Sequence, residues 1–391
     1  MARVTRATRL LAPCGLLAMA CVSAIPPTST AQGSPIALGM IHADRRSDAL
    51  AAARAAVDFV NAERRGVAGR PLKLEACATR GSAESSSECA QKMVDLKVLA
   101  VAYDVDDNVE ASVGVLQRAG LPVVGAAPTS NALLKAPNAF VFNAGIGGSY
   151  ASMSAFAGRN LGARKVALIV ENEAVITPVA RAFGENVLKA FGVRDVTLVR
   201  VAPPSGGLAG TMRAITGLRP DVVIAAPQET SCADVMKAVH GLTIRPRAVY
   251  SGTCLAPDLL KAAGAAAENA YFETPVVPPD DAEDGRLETF RRAVAKHGAG
   301  AIPITPRTQI AFQSVMNLVD VVNRVGAPVT SDRVTTALRQ SKGWPNFMGH
   351  PYTCDGKQAP ALPAVCTPHT RVVQYRAGRL IEITGDWLNP F

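Results

Sequence analysis

The chain has 391 residues, 19% of them charged and 5% aromatic, and a formal net charge of +9. That length is enough for two lobes with separate cores. The positive residues are scattered among acids and few aromatics are available for stacking, which argues against nucleic-acid binding despite the basic balance.

Arg3, Arg6 and Arg9 form a basic start, followed by the apolar stretch Leu10–Ile25 and the small residues Ser29-Thr30-Ala31. This pattern reads as a secretory signal peptide over residues 1–31. A rival cleavage before Cys21 would leave a lipid anchor there. No later segment is an uninterrupted apolar run of membrane length.

From Ile36 to Thr274, short apolar runs alternate with amphipathic stretches. The strand runs are Ile36–His42, Leu72–Ala76, Val98–Ala102, Leu121–Gly125, Val166–Val170, Val196–Val201, Val222–Ala225 and Ala248–Ser251. Helical patterns lie between them, among them Ala49–Glu63, Ser85–Leu96, Val179–Phe191 and Ala233–His240. Such alternation implies parallel sheets covered by helices on both faces. Residues 137–143 and the proline-rich 271–279 are extended passages. Helices are expected at Arg286–His297, Pro306–Val325 and Ser331–Ser341. An irregular stretch, Trp344–Tyr352, precedes a terminal hairpin of Arg371–Arg376 and Leu380–Thr384. The order fits an α/β chain of two doubly wound parallel-sheet lobes joined by three crossings. The expected bounds are 34–142 with 277–343 for the first lobe and 143–276 with 344–391 for the second.

Six cysteines follow the leader: Cys77, Cys89, Cys232, Cys254, Cys354 and Cys366. An even number in an exported chain suggests disulfides, although sequence alone leaves the connectivity open. Their grouping suggests Cys77 with Cys89, Cys232 with Cys254, and Cys354 with Cys366. The middle pair falls in turns after successive strands, where it would fasten two loops. No zinc-ligand spacing is present.

In open parallel sheets, ligands sit outside the carboxyl ends of the strands. The turn after the fourth strand contains Thr129 and Ser130, which can cap a helix and also present donors. Acids follow other strands: Asp104 and Asp106, Glu173, and Glu229. A cleft with several unpaired carboxylates would favour a cationic or multiply hydroxylated solute. Tyr150 opens a helix and would wall the cleft.

Several stretches carry a resemblance. They are Ala55-Ala56-Val57-Asp58-Phe59-Val60-Asn61, Gly69-Arg70-Pro71-Leu72-Lys73-Leu74, Lys92-Met93-Val94-Asp95 and Gly120-Leu121-Pro122-Val123-Val124. Arg219-Pro220-Asp221-Val222-Val223, Leu255–Leu260 and Ala270-Tyr271-Phe272 continue the series. In this order and spacing the chain resembles the type I periplasmic-binding-protein fold, in particular the leucine-binding group of branched-chain amino acid ABC transporters. The resemblance implies a solute-binding protein that needs no cofactor, acts as a monomer and delivers a small polar ligand to a membrane permease. It also implies that the turn holding Ala126, Ala127, Thr129 and Ser130 receives a ligand carboxylate. Relatives place a tyrosine near Val175-Ile176 and an acid near Thr253, and neither is present. The usual α-amino-acid site is thus incomplete.

The same fold can serve a sensor. An exported α/β enzyme is the remaining alternative, but no Gly-x-Ser-x-Gly elbow, phosphate loop or His-Glu-x-x-His occurs.

Overall fold

In the computed structural model, residues 33–43, 47–106, 108–125, 130–171, 176–201 and 207–391 are described. The leader with Cys21, together with Ala126, Ala127, Thr129 and Glu173, lies outside the described residues.

The first half builds β1 (Ile36–His42), α1 (Ser47–Glu63), β2 (Leu72–Ala78), α2 (Ala83–Asp95), β3 (Val101–Tyr103), α3 (Val109–Arg118), β4 (Val123–Val124), α4 (Asn131–Lys135) and β5 (Ala139–Phe140). All five strands run parallel, in the order β2-β1-β3-β4-β5. A parallel strand is covered on both faces and so reads as a near-continuous apolar run. β1 obeys this rule. Leu38 and Met40 enter one core with α1, while Ile41 enters the core on the opposite face.

The chain then crosses to a second sheet. It contributes α5 (Gly145–Arg159), β6 (Lys165–Glu171), α6 (Ile176–Val179), a π-type turn over Ala180–Glu185, α7 (Asn186–Ala190), β7 (Asp195–Val201), α8 (Leu208–Leu218), β8 (Val222–Ala225), α9 (Cys232–His240), β9 (Arg247–Tyr250), α10 (Pro257–Ala263) and β10 (Tyr271–Thr274). Next it returns to the first lobe as α11 (Gly285–His297), α12 (Pro306–Val325) and α13 (Ser331–Arg339). The closing hairpin, β11 (Arg371–Arg376) and β12 (Arg379–Glu382), joins the second sheet antiparallel, giving the order β12-β11-β10-β9-β8-β6-β7. Three crossings therefore connect the two lobes.

The irregular residues after α13 pack with the first sheet. Phe347, Met348, Tyr352, Cys354 and Cys366 belong to the same core as α1 and α12. The crossing segments also bond to one another. Val141 N–H donates to the Ala364 carbonyl at 2.7 Å, and Val277 N–H donates to the Met348 carbonyl at 2.8 Å.

α12 is pinned to these segments by amides spaced four residues apart, on one helix face. Gln309 donates to the Val277 carbonyl (3.0 Å) and Gln313 to the Phe347 carbonyl (2.7 Å). Asn317 accepts from Phe347 N–H (2.9 Å) and donates to Asn346 (2.7 Å). Gly125, at the end of β4, has φ +67°, and a Cβ there would stand 2.1 Å from the Ser314 hydroxyl. Glycine thus lets α12 lie against the strand end.

Three disulfides join Cys77 to Cys89, Cys232 to Cys254 and Cys354 to Cys366, as the grouping suggested.

Candidate functional site

The carboxyl ends of both sheets meet at the amino terminus of α12. A capping box starts this helix. Thr305 accepts from Thr308 N–H at 3.2 Å, and Thr308 accepts from Thr305 N–H at 3.1 Å. Pro306 supplies a preset φ at the first helical position. Arg307 follows in the first turn, where the helix dipole disfavours a cation. Its position is explained by two acids. Asp104, in the turn after β3, accepts from Arg307 Nε at 2.8 Å and from Nη2 at 2.5 Å. Glu229, in the turn after β8, accepts from Nη1 at 3.1 Å. Burial works against the Arg307 charge, but Asp104 and Glu229 more than offset it and hold its pKa above the ordinary value. The guanidinium therefore joins the first lobe to the second.

The two acids are held unequally. The Asp104 side chain is 1% exposed and engages Arg307 in a two-point fork. The Glu229 side chain is 37% exposed and makes one contact.

The other expected residues fall out as follows. Asp106 is buried and bonded within its own lobe, accepting from the Ser86 hydroxyl (2.5 Å) and Asn108 N–H (3.1 Å). Ser130 is also buried. Its hydroxyl donates to the Glu110 carboxylate and accepts from Ala132 N–H at 3.1 Å, capping α4. Tyr150 is fully enclosed in the core between α5 and the second sheet. Thr253 is exposed in the turn after β9. The structure thus brings Asp104 and Glu229 together through Arg307, and engages Asp106 and Ser130 elsewhere. The expectation of several unpaired carboxylates is corrected for Asp104, Asp106 and Glu229, which all have partners and so do not favour a cationic solute.

Two polar residues escaped the sequence reading. The first is Arg307, whose signal was a base in a helix's first turn. The second is Glu273, an acid inside the apolar strand β10. It is fully buried, and Ser149 donates to it at 2.7 Å. Burial raises its pKa to about 7, against the pull of donors from Ser149 and Gly252 N–H. It lies under the turn after β9. A Cβ on Gly252 would meet the Glu273 carbonyl at 2.8 Å, so this turn rests directly on β10. The Cys232–Cys254 bond ties the same turn to the one carrying Glu229.

Other features lie away from this junction. A cavity of about 600 Å³ lined by Arg181, Leu198, Arg200 and Leu218 among others sits beside β7, an edge strand of the second sheet. Among the described residues no group of three or more His, Cys, Asp or Glu could hold a metal ion. Nor is any described helix long and apolar enough to cross a membrane.

A family model described as periplasmic binding protein matches residues 43–364. A search of curated proteins finds no match. Among solved structures, a leucine-binding protein from Thermotoga maritima is similar at 17% identity, covering 91% of this chain and 99% of that one, with a TM-score of 0.74. A fatty acid ABC transporter substrate-binding protein from Thermomonospora curvata is 15% identical over 93% of this chain and 96% of its own, with a TM-score of 0.76. A solute-binding protein of an ABC transporter from Rhodopseudomonas palustris, in complex with 3,4-dihydroxybenzoic acid, is 16% identical over 91% and 98%, with a TM-score of 0.72.

Proposed function

The chain belongs to the periplasmic binding protein family, and we propose that it captures a small organic solute between its lobes and presents it to an ABC-transporter permease. The observation that carries this reading is the junction at Arg307. A side chain of the first lobe bonds an acid of the second lobe at the carboxyl ends of both sheets, which is where open α/β sheets bind ligands. Contacts of this kind form when lobes close and are lost when they open, the basis of hinge closure around a ligand. The similar structures differ widely in solute: one is a leucine-binding protein, one serves a fatty acid transporter and one holds 3,4-dihydroxybenzoic acid. They support solute capture without selecting leucine.

Export accompanies this role. Residues 1–31 are the leader, and the mature chain works as a monomer outside the cytoplasm. We put the third crossing at 367–370 rather than at 343–344, a reading supported by Phe347, Met348, Tyr352, Cys354 and Cys366, which share a core with α1 and α12.

The test is a thermal-shift screen of amino acids, aromatic acids, fatty acids and polyamines, followed by small-angle scattering with the best hit. Compaction on saturation is expected. A saturating hit that leaves the scattering profile unchanged would count against hinge closure.

A further inference from the structure

We infer that Arg307 is the cleft's anion seat, that the captured solute carries a carboxylate, and that this carboxylate takes the place Glu229 holds on Arg307 Nη1. The inference rests on the solute-capture reading above and adds the ligand's chemical class and receiving residue.

Three features of the junction carry it. Asp104 holds Nε and Nη2 at 2.8 and 2.5 Å from within the first lobe. That fork fixes the plane of the guanidinium and leaves the Nη1 edge facing the opposite lobe. The edge has one acidic partner, Glu229, at 3.1 Å. Glu229 sits in a short turn of the second lobe and its side chain is 37% exposed. Released from Arg307, it is solvated without the penalty a buried acid would meet. Asp104 is in the contrary position, since its side chain is 1% exposed.

Charge decides which solutes can make the exchange. Asp104 and Arg307 together are neutral, and Glu229 adds one negative charge. A solute carboxylate entering at Nη1 preserves that balance at the guanidinium and restores a charge-assisted hydrogen bond. A neutral amide offers only its carbonyl oxygen, a weaker acceptor. An ammonium solute would face the guanidinium directly. The Ser130 hydroxyl is committed to Glu110 and to Ala132 N–H, whereas Arg307 offers a charged donor on the edge facing the second lobe. Glu229 thus acts as a tethered competitor, and removing its charge should strengthen solute binding.

The test uses the mature chain and isothermal titration calorimetry at pH 7.5. Leucine, benzoate, 4-hydroxybenzoate and hexanoate are each titrated beside their primary amides, with putrescine as the cationic control. At least one acid should bind, with its amide at least about tenfold weaker. Glu229→Gln should bind that acid several-fold more tightly. Arg307→Gln should weaken it roughly 10- to 100-fold, the range for a hydrogen bond to a charged group. Because Arg307→Gln strips Asp104 of its partner, the Asp104→Asn/Arg307→Gln double variant is measured beside it, and circular dichroism checks that both are folded. The assignment is overturned if an amide matches its acid, if a folded Arg307→Gln variant keeps wild-type affinity, or if no acid binds. Binding of putrescine, or of amides at least as tightly as their acids, with compaction would end this assignment while preserving solute capture. Silence of the whole panel would count against both.

Discussion

The two lobes fix their cleft-facing turns by different means. In the first lobe, the turn after β3 and the start of α4 are held by side-chain hydrogen bonds: Ser86 donates to Asp106, Ser130 to Glu110, and Arg307 to Asp104. In the second, the turns after β8 and β9 are joined covalently by Cys232–Cys254, and the β9 turn rests on a buried acid, Glu273. Hydrogen-bonded turns are pinned residue by residue, and each bond contributes modestly. A disulfide acts mainly on the unfolded chain and restrains two turns as one body. On the proposed hinge closure, the second lobe would carry Glu229 to and from Arg307 without remaking the turns around it.

The largest expected effect breaks the covalent side. Cys232→Ser/Cys254→Ser should lower stability by roughly 2–5 kcal/mol, measured by denaturant unfolding. Hydrogen exchange should rise at residues 226–231 and 251–256 and stay unchanged at residues 104–106. Equal loss of protection in both lobes would mean that the disulfide does not restrain the second lobe's turns separately.

The next effect concerns Glu273. Its carboxyl titrates at about 7 in the fold against 4.5 ordinarily. The stability it contributes is fully present below pH 4.5 and is lost as pH rises through 7. The loss is about 3 kcal/mol at most. Glu273→Gln stays neutral throughout, so its unfolding free energy should vary less than that of the wild type between pH 4.5 and 8, and it should be the more stable protein at pH 8. Parallel pH profiles for the two proteins would show that this acid does not titrate as described.

The smallest effect sharpens the hydrogen-bonded side. Ser130→Ala removes the cap on α4 and the donor to Glu110, and should cost about 1 kcal/mol. An unaltered melting temperature would mean that the hydroxyl does not hold the start of α4.

Much of the architecture was readable because its causes are local. Ile36–His42 and Val222–Ala225 are apolar runs with the observed bounds, and Pro306–Val325 opens at its proline and ends before Gly326. The cysteine pairs, 12, 22 and 12 residues apart, were readable for the same reason. The site was less legible because its partners are remote. Arg307 meets Asp104 across 203 positions and Glu229 across 78, and no local pattern joins them. Asp106 showed as an acid at a strand end, but its bond to Ser86 on α2 depends on how the helix packs. The stretch 344–366 lacks periodicity, so only the three-dimensional core reveals that Phe347 and Tyr352 side with the first lobe.

The disulfides also bear on how the chain matures. Each joins a cysteine to the next one along the sequence, counting from Cys77, so the three loops neither overlap nor enclose one another. A chain entering an oxidising compartment amino terminus first exposes each pair before the next appears. Oxidation in order of arrival then yields the native set directly, and no reshuffling between pairs is required.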